Sequence, residues 1–391
     1  MSLSAPVPFK ANVRLLDFMR QADAPGIINL AAGVPGPDAL PAEALTRAFQ
    51  KALQHDNALL YAYHHPEGDH QLRALLAQRL QKRGVARIEA PQIVTTTGCT
   101  QALQVMLSLL VKPGTVVACE GPAYYGMLEI LSEASAHVLP LPIHGTSSLD
   151  LEETEALLRQ YRPACLVICP TLSNPSGATL PSEKRQPLVE LCRTLGIRII
   201  EDDIYGELLD SGALPTLLSF DPTGETVSYV TSFSKTVSPG LRTGFCVPGT
   251  LHEAFAARKC MQDLHSGVVT EAMLREFLAA GELDPHLDWL RQRNQKRRTI
   301  ALNALKQTFP SSAVLHEPDG GYMLWVQLPK SVSLSDFQAA ARLENVVFGG
   351  GHVFYPCPAP APFIRLNCAK ESEENLVLGI NRLGSILQKM A

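Results

Sequence analysis

The sequence lacks several features that would assign the protein to a special class. It has no excess of one charge, because 34 lysines and arginines stand against 38 aspartates and glutamates, for a net charge of -4. This balance provides no basic footprint for nucleic acid. Its longest nearly apolar stretch, residues 102–111, is too short to cross a bilayer. We therefore expect neither nucleic acid nor a membrane as a partner.

Close cysteine pairs are also missing. None of the nine cysteines stands in a CxxC motif, so the sequence predicts no disulfide framework and no metal site. Cys165 and Cys169 lie in an apolar segment typical of a buried strand, and we expect both to be core residues. Because the sequence also shows no secretory signal, this cysteine usage predicts a reducing compartment, the cytoplasm.

What the sequence does contain is an alternation of two patterns. Short apolar, β-branched runs alternate with amphipathic helical patterns, which is typical of a mainly parallel sheet with helices on both faces. Candidate strands are residues 92–97, 115–120, 137–143, 164–170, 197–202 and 228–233, and candidate helices are 99–111, 123–134, 151–161 and 183–195.

The last third of the chain has a different organisation. Beyond residue 250 the strand patterns stop, and a helical stretch extends to about residue 308. Shorter strand patterns, a helix at 334–344 and a C-terminal helix follow. With 391 residues, two domains are the expectation. We predict an arm that is part of a small domain (1–45), a large domain (46–285) and a small C-terminal domain (286–391).

The segment TSFSKTVSPGLRTGF, residues 231–245, places a lysine in unusual company. Lys235 follows a predicted strand and lies among small hydroxyl residues, and Arg242 follows a Pro-Gly turn. Most lysines are exposed to solvent. Catalytic groups of α/β proteins, however, gather just beyond strand ends. Lys235 is therefore a candidate catalytic residue.

Other predicted strands end at complementary groups. One ends at Asp202, three residues before Tyr205, and another leads to Asn174 in a Pro- and Gly-containing loop. A third leads to Gly98, which opens a helix whose free N–H groups and dipole suit an anion. An amine, a carboxylate, a phenol, an amide, an arginine and a phosphate cup are thus predicted at one edge of the sheet.

Pyridoxal 5'-phosphate is one cofactor that needs all six groups. Lys235 can hold its aldehyde as a Schiff base. A buried carboxylate such as Asp202 keeps its ring nitrogen protonated. Tyr205 and Asn174 can donate hydrogen bonds to its ring oxygen. Tyr124 can lay its ring on the pyridine face, although the adjacent Tyr125 is an alternative for that role.

The cofactor phosphate needs its own donors. The amides after Gly98 would supply some of them, and Ser232, Ser234 and Arg242 would supply the rest. Arginine can bind a phosphate through two parallel hydrogen bonds, which lysine cannot. These residues complete the predicted cofactor site.

Four motifs together resemble one family. They are SFSKTVSPGLRTGF (232–245), NPSG (174–177), EDDIYGEL (201–208) and FIRLNCA (363–369). They are similar to the class I/II pyridoxal-phosphate-dependent aminotransferases of fold type I, over nearly the whole chain. The resemblance is closest to 2-aminoadipate and kynurenine aminotransferases and to the aminotransferase-like domain of MocR-type regulators. It implies an α/β fold in which helices enclose a mainly parallel seven-stranded sheet, plus a smaller α+β domain.

The resemblance implies the cofactor roles given above and adds others. Arg365 matches the arginine that takes the substrate α-carboxylate, and we also place Asn174 and Gly33 beside the substrate. Tyr63 matches a tyrosine that reaches the phosphate of the neighbouring subunit. A homodimer with composite active sites is therefore expected.

Two segments depart from the family pattern. Where relatives often have serine and glutamine after the phosphate-loop glycine, this chain has Cys99 and Thr100. Since a thiol is a weak donor, we expect the backbone amide of Cys99 to make the phosphate contact. Residues 346–354 also depart from the family pattern, in which the corresponding loop usually contains Val-Pro-Gly. Both differences bear on which substrate is bound rather than on the identity of the cofactor.

The predicted reaction is a ping-pong transamination between an L-amino acid and a 2-oxo acid, with 2-oxoglutarate as the expected acceptor. Arg365 orients the substrate, and Lys235 moves the Cα proton as general base and acid. Another pyridoxal-phosphate reaction on an amino acid (β-elimination, decarboxylation or cyclisation) stays open. So does the sensor module of a regulator, although residues 1–45 are not basic, which favours the enzyme.

Overall fold

A computed structural model describes residues 5–10, 25–55, 59–143 and 149–390 of the chain. The strands of this part, in chain order, are β1 (Val7–Pro8), β2 (Ile28–Asn29), β3 (Val94–Thr96), β4 (Val116–Gly121), β5 (His137–Pro142), β6 (Cys165–Ile168), β7 (Arg198–Asp202), β8 (Val227–Ser232), β9 (Gly244–Val247), β10 (Val314–His316), β11 (Met323–Gln327), β12 (Val346–Val347), β13 (Gly349–Gly350) and β14 (Phe363–Asn367).

Helices separate most of these strands. In chain order they are α1 (Ala42–His55), α2 (His70–Lys82), α3 (Cys99–Leu110), α4 (Tyr125–Glu133), α5 (Leu151–Tyr161), α6 (Ser182–Leu195), α7 (His252–Asp263), α8 (Val268–Ala279), α9 (Leu283–Thr308), α10 (Leu334–Leu343) and α11 (Glu373–Met390). Within the described ranges, no helix combines the length and apolar character needed to cross a membrane.

The larger sheet has eight strands in the order β1-β5-β4-β6-β7-β8-β9-β3. Strands β4 to β8 are mutually parallel, whereas β9 runs antiparallel to both β8 and β3. The mainly parallel sheet between helices is confirmed, with two differences from the sequence prediction. The two-residue β1 adds an edge strand, where its proline needs no partner. β9 was not among the predicted strands, because its four residues carry no clear period and the first two belong to the 231–245 motif.

Alternating side chains build a core on each face of this sheet. In β6, Leu166 packs with Leu139 and Ile199 in one core, while Cys165 and Val167 pack into the other. This period of two follows from strand geometry. Burial on both faces explains why the parallel strands read as continuous apolar runs.

The two predicted core cysteines have different positions. Cys165 is fully buried within β6, as expected, and all nine cysteines are free thiols. Cys169 is only half-buried, because it comes just after the last residue of β6, at the carboxyl edge of the sheet. Cys169 therefore packs against the core from its edge.

The smaller sheet is antiparallel, in the order β10-β11-β14-β13. Its core includes Ile364 and Leu366 of β14 together with Leu383 of α11. The N-terminal segment joins this core, since β2 pairs in parallel with β12, and Leu30 is fully buried there. Through these contacts the N-terminal segment associates with the C-terminal third of the chain.

A single helix connects the two cores. Near its start, α9 contributes Leu287 to the core of the large sheet, and near its end it contributes Leu305 to the core of the small sheet. The predicted boundary between residues 285 and 286 falls in the first turn of this continuous helix. Of the predicted N-terminal arm, residues 1–4 and 11–24 lie outside the described ranges.

Candidate active site

A cavity of about 490 Å³ lies at the carboxyl ends of the parallel strands. This is the position at which α/β sheets bind ligands, because successive strand ends converge there. Most of the predicted site residues line it: Gly33, Cys99, Thr100, Tyr124, Asn174, Asp202, Tyr205, Ser232, Ser234, Lys235, Arg242 and Arg365.

Lys235 extends into this cavity from the segment after β8. Its Nζ donates a hydrogen bond of 2.8 Å to the carbonyl oxygen of Gly33. Burial of the amine, together with the nearby charges of Arg365 and Arg242, lowers the pKa of Lys235 to about 8. The lowered pKa increases the neutral fraction of the amine, which is the form that can act as a nucleophile or a base.

Asp202 is the last residue of β7 and is 8% exposed. The thiol of Cys99 donates to its Oδ1 over 3.2 Å, and the backbone amide of Ile204 donates to the same carboxylate. Burial raises the pKa of Asp202 to about 6, partly offset by these two donors. A buried carboxylate of this kind is stabilised further by a cationic partner.

The start of α3 forms an anion cup. Gly98 caps the helix at φ 88°, where a Cβ would stand 2.8 Å from Nη2 of Arg242, so both the backbone angle and the space favour glycine. Arg242 donates to the Thr97 carbonyl over 3.1 Å and lies 3.4 Å from Oγ of Ser234. Ser232 accepts the Ser234 amide over 3.2 Å. Gly98 does not line the cavity itself but brings the first-turn amides toward it.

Arg365 reaches the cavity from the small sheet. This fully buried side chain donates from Nη1 to Oδ1 of Asn174 over 2.6 Å and from Nη2 to the Ala31 carbonyl over 2.5 Å. Its Nε has no hydrogen-bond partner among the described residues. Its guanidinium lies 4.8 Å from the ring centroid of Phe354 and 5.9 Å from that of Tyr125. The arrangement leaves buried donor capacity for an anionic ligand.

Aromatic rings form two walls. Tyr124 and Tyr125 lie side by side, with ring centroids 5.0 Å apart, and both line the cavity. Tyr205 is buried, with its ring 6.1 Å from that of Tyr322. Burial raises the pKa of Tyr205 well above its ordinary value, so its phenol stays a neutral donor.

Tyr63, another predicted site residue, lies apart from this group. It is 83% exposed and is not among the residues that line the cavity of its own chain. Its ring makes an edge contact with His265, at 5.6 Å between centroids. Other exposed apolar side chains lie close in sequence to Tyr63 or to His265, namely Tyr61, Met261 and Leu264.

Several cavity residues were not predicted. Their positions depend on how separate segments meet, and only Tyr125 had a local signal, as the alternative to Tyr124. Lys370 follows the FIRLNCA motif without any feature that marks it. The additional lining residues are Ala32, Val34, Leu103, Tyr125, Cys169, Ile204, Pro239 and Lys370.

The donors in the cavity match the groups of pyridoxal 5'-phosphate. An amine of lowered pKa faces the same space as a buried carboxylate, an anion cup and a neutral phenol. The glycine cradle at Gly98 and the unpartnered Nε of Arg365 both indicate anions. These residues fit a phosphorylated pyridine and an amino acid carboxylate.

The sequence pattern of one family extends over most of the chain. The family described as aminotransferase class I and II matches residues 25–383. A 2-aminoadipate transaminase from Thermus thermophilus is 30% identical over 377 residues, which is 95% of this chain and 93% of that protein. An uncharacterised HTH-type transcriptional regulator of Escherichia coli, YjiR, is 26% identical over 385 residues, 98% of this chain and 82% of the regulator.

The fold has close counterparts among solved structures. The α-aminoadipate aminotransferase LysN from Thermus thermophilus, in complex with N-(5'-phosphopyridoxyl)-L-leucine, superposes with a TM-score of 0.89. The match covers 97% of this chain and 96% of that structure at 28% identity.

Proposed function

The chain belongs to the class I and II aminotransferases, which transfer amino groups by means of pyridoxal 5'-phosphate, and on this basis we propose which of its residues perform the reaction. The observation that carries the proposal is that Lys235, Asp202, Arg242 and Arg365 face one cavity. These four side chains supply the amine, the carboxylate and the two anion-binding groups that the reaction requires.

Three regions of the cavity would hold the cofactor. The first-turn amides of Cys99 and Thr100, with Ser234 and Arg242, form the phosphate site, assisted by Ser232. Asp202 would hold a proton at the pyridine nitrogen, and Tyr205 and Asn174 would donate to the ring oxygen. Tyr124 would cover the ring face. When bound, the cofactor supplies an aldehyde that exchanges amines and an electron-withdrawing ring.

Arg365 would bind the substrate α-carboxylate. The small sheet fixes its position, and the contact with Asn174 links it to the loop after β6. The segment at Gly33 comes close, since a Cβ there would lie 3.5 Å from Nη1 of Arg365. Two-point binding of the carboxylate holds the Cα–H bond in one orientation, which is catalysis by positioning.

Lys235 would move the substrate proton. Its lowered pKa allows a neutral amine to remove the proton from Cα, and the resulting ammonium can then return a proton. The neighbouring charges of Arg365 and Arg242 keep the ammonium form from becoming too stable. Lys235 is thus the general base and general acid of this proposal.

The acceptor is proposed to be 2-oxoglutarate, with an L-amino acid as donor. Incubation of the holoenzyme with 2-oxoglutarate and one amino acid at a time, followed by detection of the matching 2-oxo acid and of glutamate, tests this assignment. Release of ammonia or carbon dioxide in place of glutamate would indicate elimination or decarboxylation. No turnover with any donor would favour the sensor role suggested by the regulator-type relative.

The exposed position of Tyr63 supports a composite site in a homodimer. A tyrosine that is 83% exposed, beside the exposed Tyr61, Met261 and Leu264, is typical of an interface. We propose that Tyr63 donates to the cofactor phosphate in the partner subunit. An isologous contact would then complete two sites at once.

We also propose a division into domains and a cellular location. The division into 1–45, 46–285 and 286–391 is supported by the two separate cores, although α9 runs through the second boundary. A cytoplasmic location is supported by nine cysteines that are all free thiols. Fractionation of the producing cells and limited proteolysis of the protein test these two points.

A further inference from the structure

Cys99 and Asp202 are joined by a thiol–carboxylate hydrogen bond inside the cavity. The Sγ–Oδ1 distance is 3.2 Å, and the two residues are only 6% and 8% exposed. Cys99 is the first residue of α3, whereas Asp202 ends β7, so the contact links the anion cup to the buried carboxylate. We propose that Cys99 is a positioning residue that acts on the cofactor ring through Asp202; this rests on the ring-nitrogen role proposed for Asp202.

The direction of this hydrogen bond follows from the surroundings of the thiol. Burial and the adjacent charge of Asp202 both raise the pKa of Cys99 well above its ordinary value. Cys99 therefore stays protonated and can only donate to an ionised Asp202. A thiol kept in this form is a poor nucleophile, so the geometry points to a fixed donor and not to a reactive cysteine.

Cys99 is free to make this contact because the anion does not require its side chain. The first amides of a helix have no acceptor within the helix, so those of Cys99 and Thr100 are available to a phosphate. The thiol is directed to the carboxylate instead. The position after Gly98 therefore has two functions, with the backbone serving the anion and the side chain serving Asp202.

The consequence concerns the basicity of Asp202. Burial raises the pKa of Asp202. Hydrogen bonds from the Cys99 thiol and the Ile204 amide lower it by a smaller amount. Without the thiol, the carboxylate would become more basic and would compete better for the proton on the pyridine nitrogen. Cys99 thus favours the protonated ring, which is the form that withdraws electrons.

A purely structural role is the competing explanation. Cys99 also belongs to the core on one face of the large sheet, and removal of its sulfur leaves a small cavity there. A loss caused by packing would not depend on the charge of Asp202. The coupling between the two residues therefore separates the two explanations.

A double-mutant cycle with Cys99→Ala and Asp202→Asn measures this coupling in the holoenzyme. Cys99→Ala should lower kcat by about three- to tenfold with KM unchanged, the usual worth of one hydrogen bond. In the Asp202→Asn background the same change should alter kcat by less than about twofold. Cys99→Ser keeps a donor and should restore most of the lost activity. Equal losses in both backgrounds, or a serine variant no better than alanine, would overturn the proposal.

The S–H stretching band gives a readout that does not depend on turnover. A difference spectrum between the wild-type holoenzyme and Cys99→Ala isolates the band of this one thiol. Asp202→Asn should move that band to higher frequency, because a neutral amide is a weaker acceptor than a carboxylate. Cys169 also lines the cavity, but its thiol lies 3.5 Å from the Thr171 carbonyl, and its band should not move.

An unshifted Cys99 band in Asp202→Asn would overturn the thiol–carboxylate contact. The infrared result also separates this inference from the function proposed above. A wild-type protein without aminotransferase turnover would contradict that function, while the band would still report whether Cys99 donates to Asp202.

Discussion

Arg365 donates from Nη1 to Oδ1 of Asn174 over 2.6 Å, and this hydrogen bond joins the small sheet to the large one across the cavity. Asn174 belongs to the loop after β6, whereas Arg365 lies in the middle of β14. A substrate carboxylate bound at this point would be held by both parts of the molecule. The geometry of the guanidinium, and not only its charge, therefore matters.

We expect Arg365→Lys to lower kcat/KM for amino acids by at least about two orders of magnitude, because lysine keeps the charge but lacks the planar fork. Cofactor content should stay normal, since the anion cup around Gly98 and Arg242 is intact. The comparison of an amino acid with the amine that lacks its carboxylate provides the control. If the wild type uses both equally well, Arg365 does not bind the carboxylate.

Lys235→Ala should abolish nearly all turnover and remove the absorbance band of the Schiff base between this lysine and the cofactor, because alanine has no amine to hold the aldehyde. Lys259→Met is a suitable control, since Lys259 is fully buried and pairs with Asp263 over 3.1 Å. Provided that circular dichroism shows both variants folded, only the first should lose the absorbance. Retention of absorbance and turnover by Lys235→Ala would refute the assignment.

Asp202→Asn should bind the cofactor but lose several orders of magnitude in kcat, on the scale seen when preorganised charge is removed from an active site. The amide keeps the shape of the side chain but cannot hold a proton on the pyridine nitrogen. Single-turnover kinetics at saturating cofactor give the relevant rate. A loss below about tenfold would mean that the carboxylate has only a structural role.

Asp202→Asn should also change how the stability of the cofactor-free protein depends on pH. Asp202 has a folded-state pKa raised to about 6, above its ordinary value of about 3.9. The protonated carboxyl therefore makes its full contribution to the stability of the folded protein below about pH 3.9. This contribution is lost as the pH rises through about 6. Between about pH 4 and pH 7, wild type should lose about 2 kcal/mol relative to Asp202→Asn.

Denaturant unfolding of both cofactor-free proteins, measured side by side over this pH range, checks the prediction. Titrations of groups that do not interact with Asp202 affect both proteins equally and cancel in the difference. If the difference in unfolding free energy stays constant with pH, Asp202 is not a carboxyl of raised pKa. If it changes in the opposite sense, the carboxylate already has a cationic partner in the free protein.

The site residues that could be predicted from the sequence are those that lie at the ends of strands. Lys235, Asp202, Asn174 and Gly98 each follow or end a strand of the large sheet, so their convergence is a consequence of sheet topology. The parallel strands could be predicted because burial on both faces makes them apolar along their whole length. Very short strands such as β9 and β10 lacked this signal, since four or three residues carry no clear period.

The remaining details depend on contacts between distant segments. The Cys99 thiol reaches Asp202, which is 103 positions away, and no local pattern predicts which way a helix-start side chain turns. Cys169 read as core because its segment is apolar, yet it lies one residue beyond the strand and so lines the cavity. Lys370 and Tyr322 came near the site only through the packing of the small sheet.

The side chain of Tyr63 is 83% exposed and does not line the cavity of its own chain. Tyr63→Phe should weaken cofactor affinity by about 1 kcal/mol, the net worth of one hydrogen bond, or somewhat more because the acceptor is charged. Sedimentation should find a homodimer whose affinity for cofactor falls on dissociation, because each site would lose one donor. Cofactor titration of wild type and variant measures both effects.

Complementation between two variants tests whether Tyr63 acts across the interface. When Tyr63→Phe protein is mixed with Lys235→Ala protein under subunit exchange, a mixed dimer pairs Lys235 of one chain with Tyr63 of the other. That one site has every wild-type group and should bind cofactor with wild-type affinity. If the mixed dimers bind only as weakly as Tyr63→Phe, the tyrosine acts within its own chain or not at all. A monomer with full activity would also refute the composite site, because a donor from a second chain could not then be required.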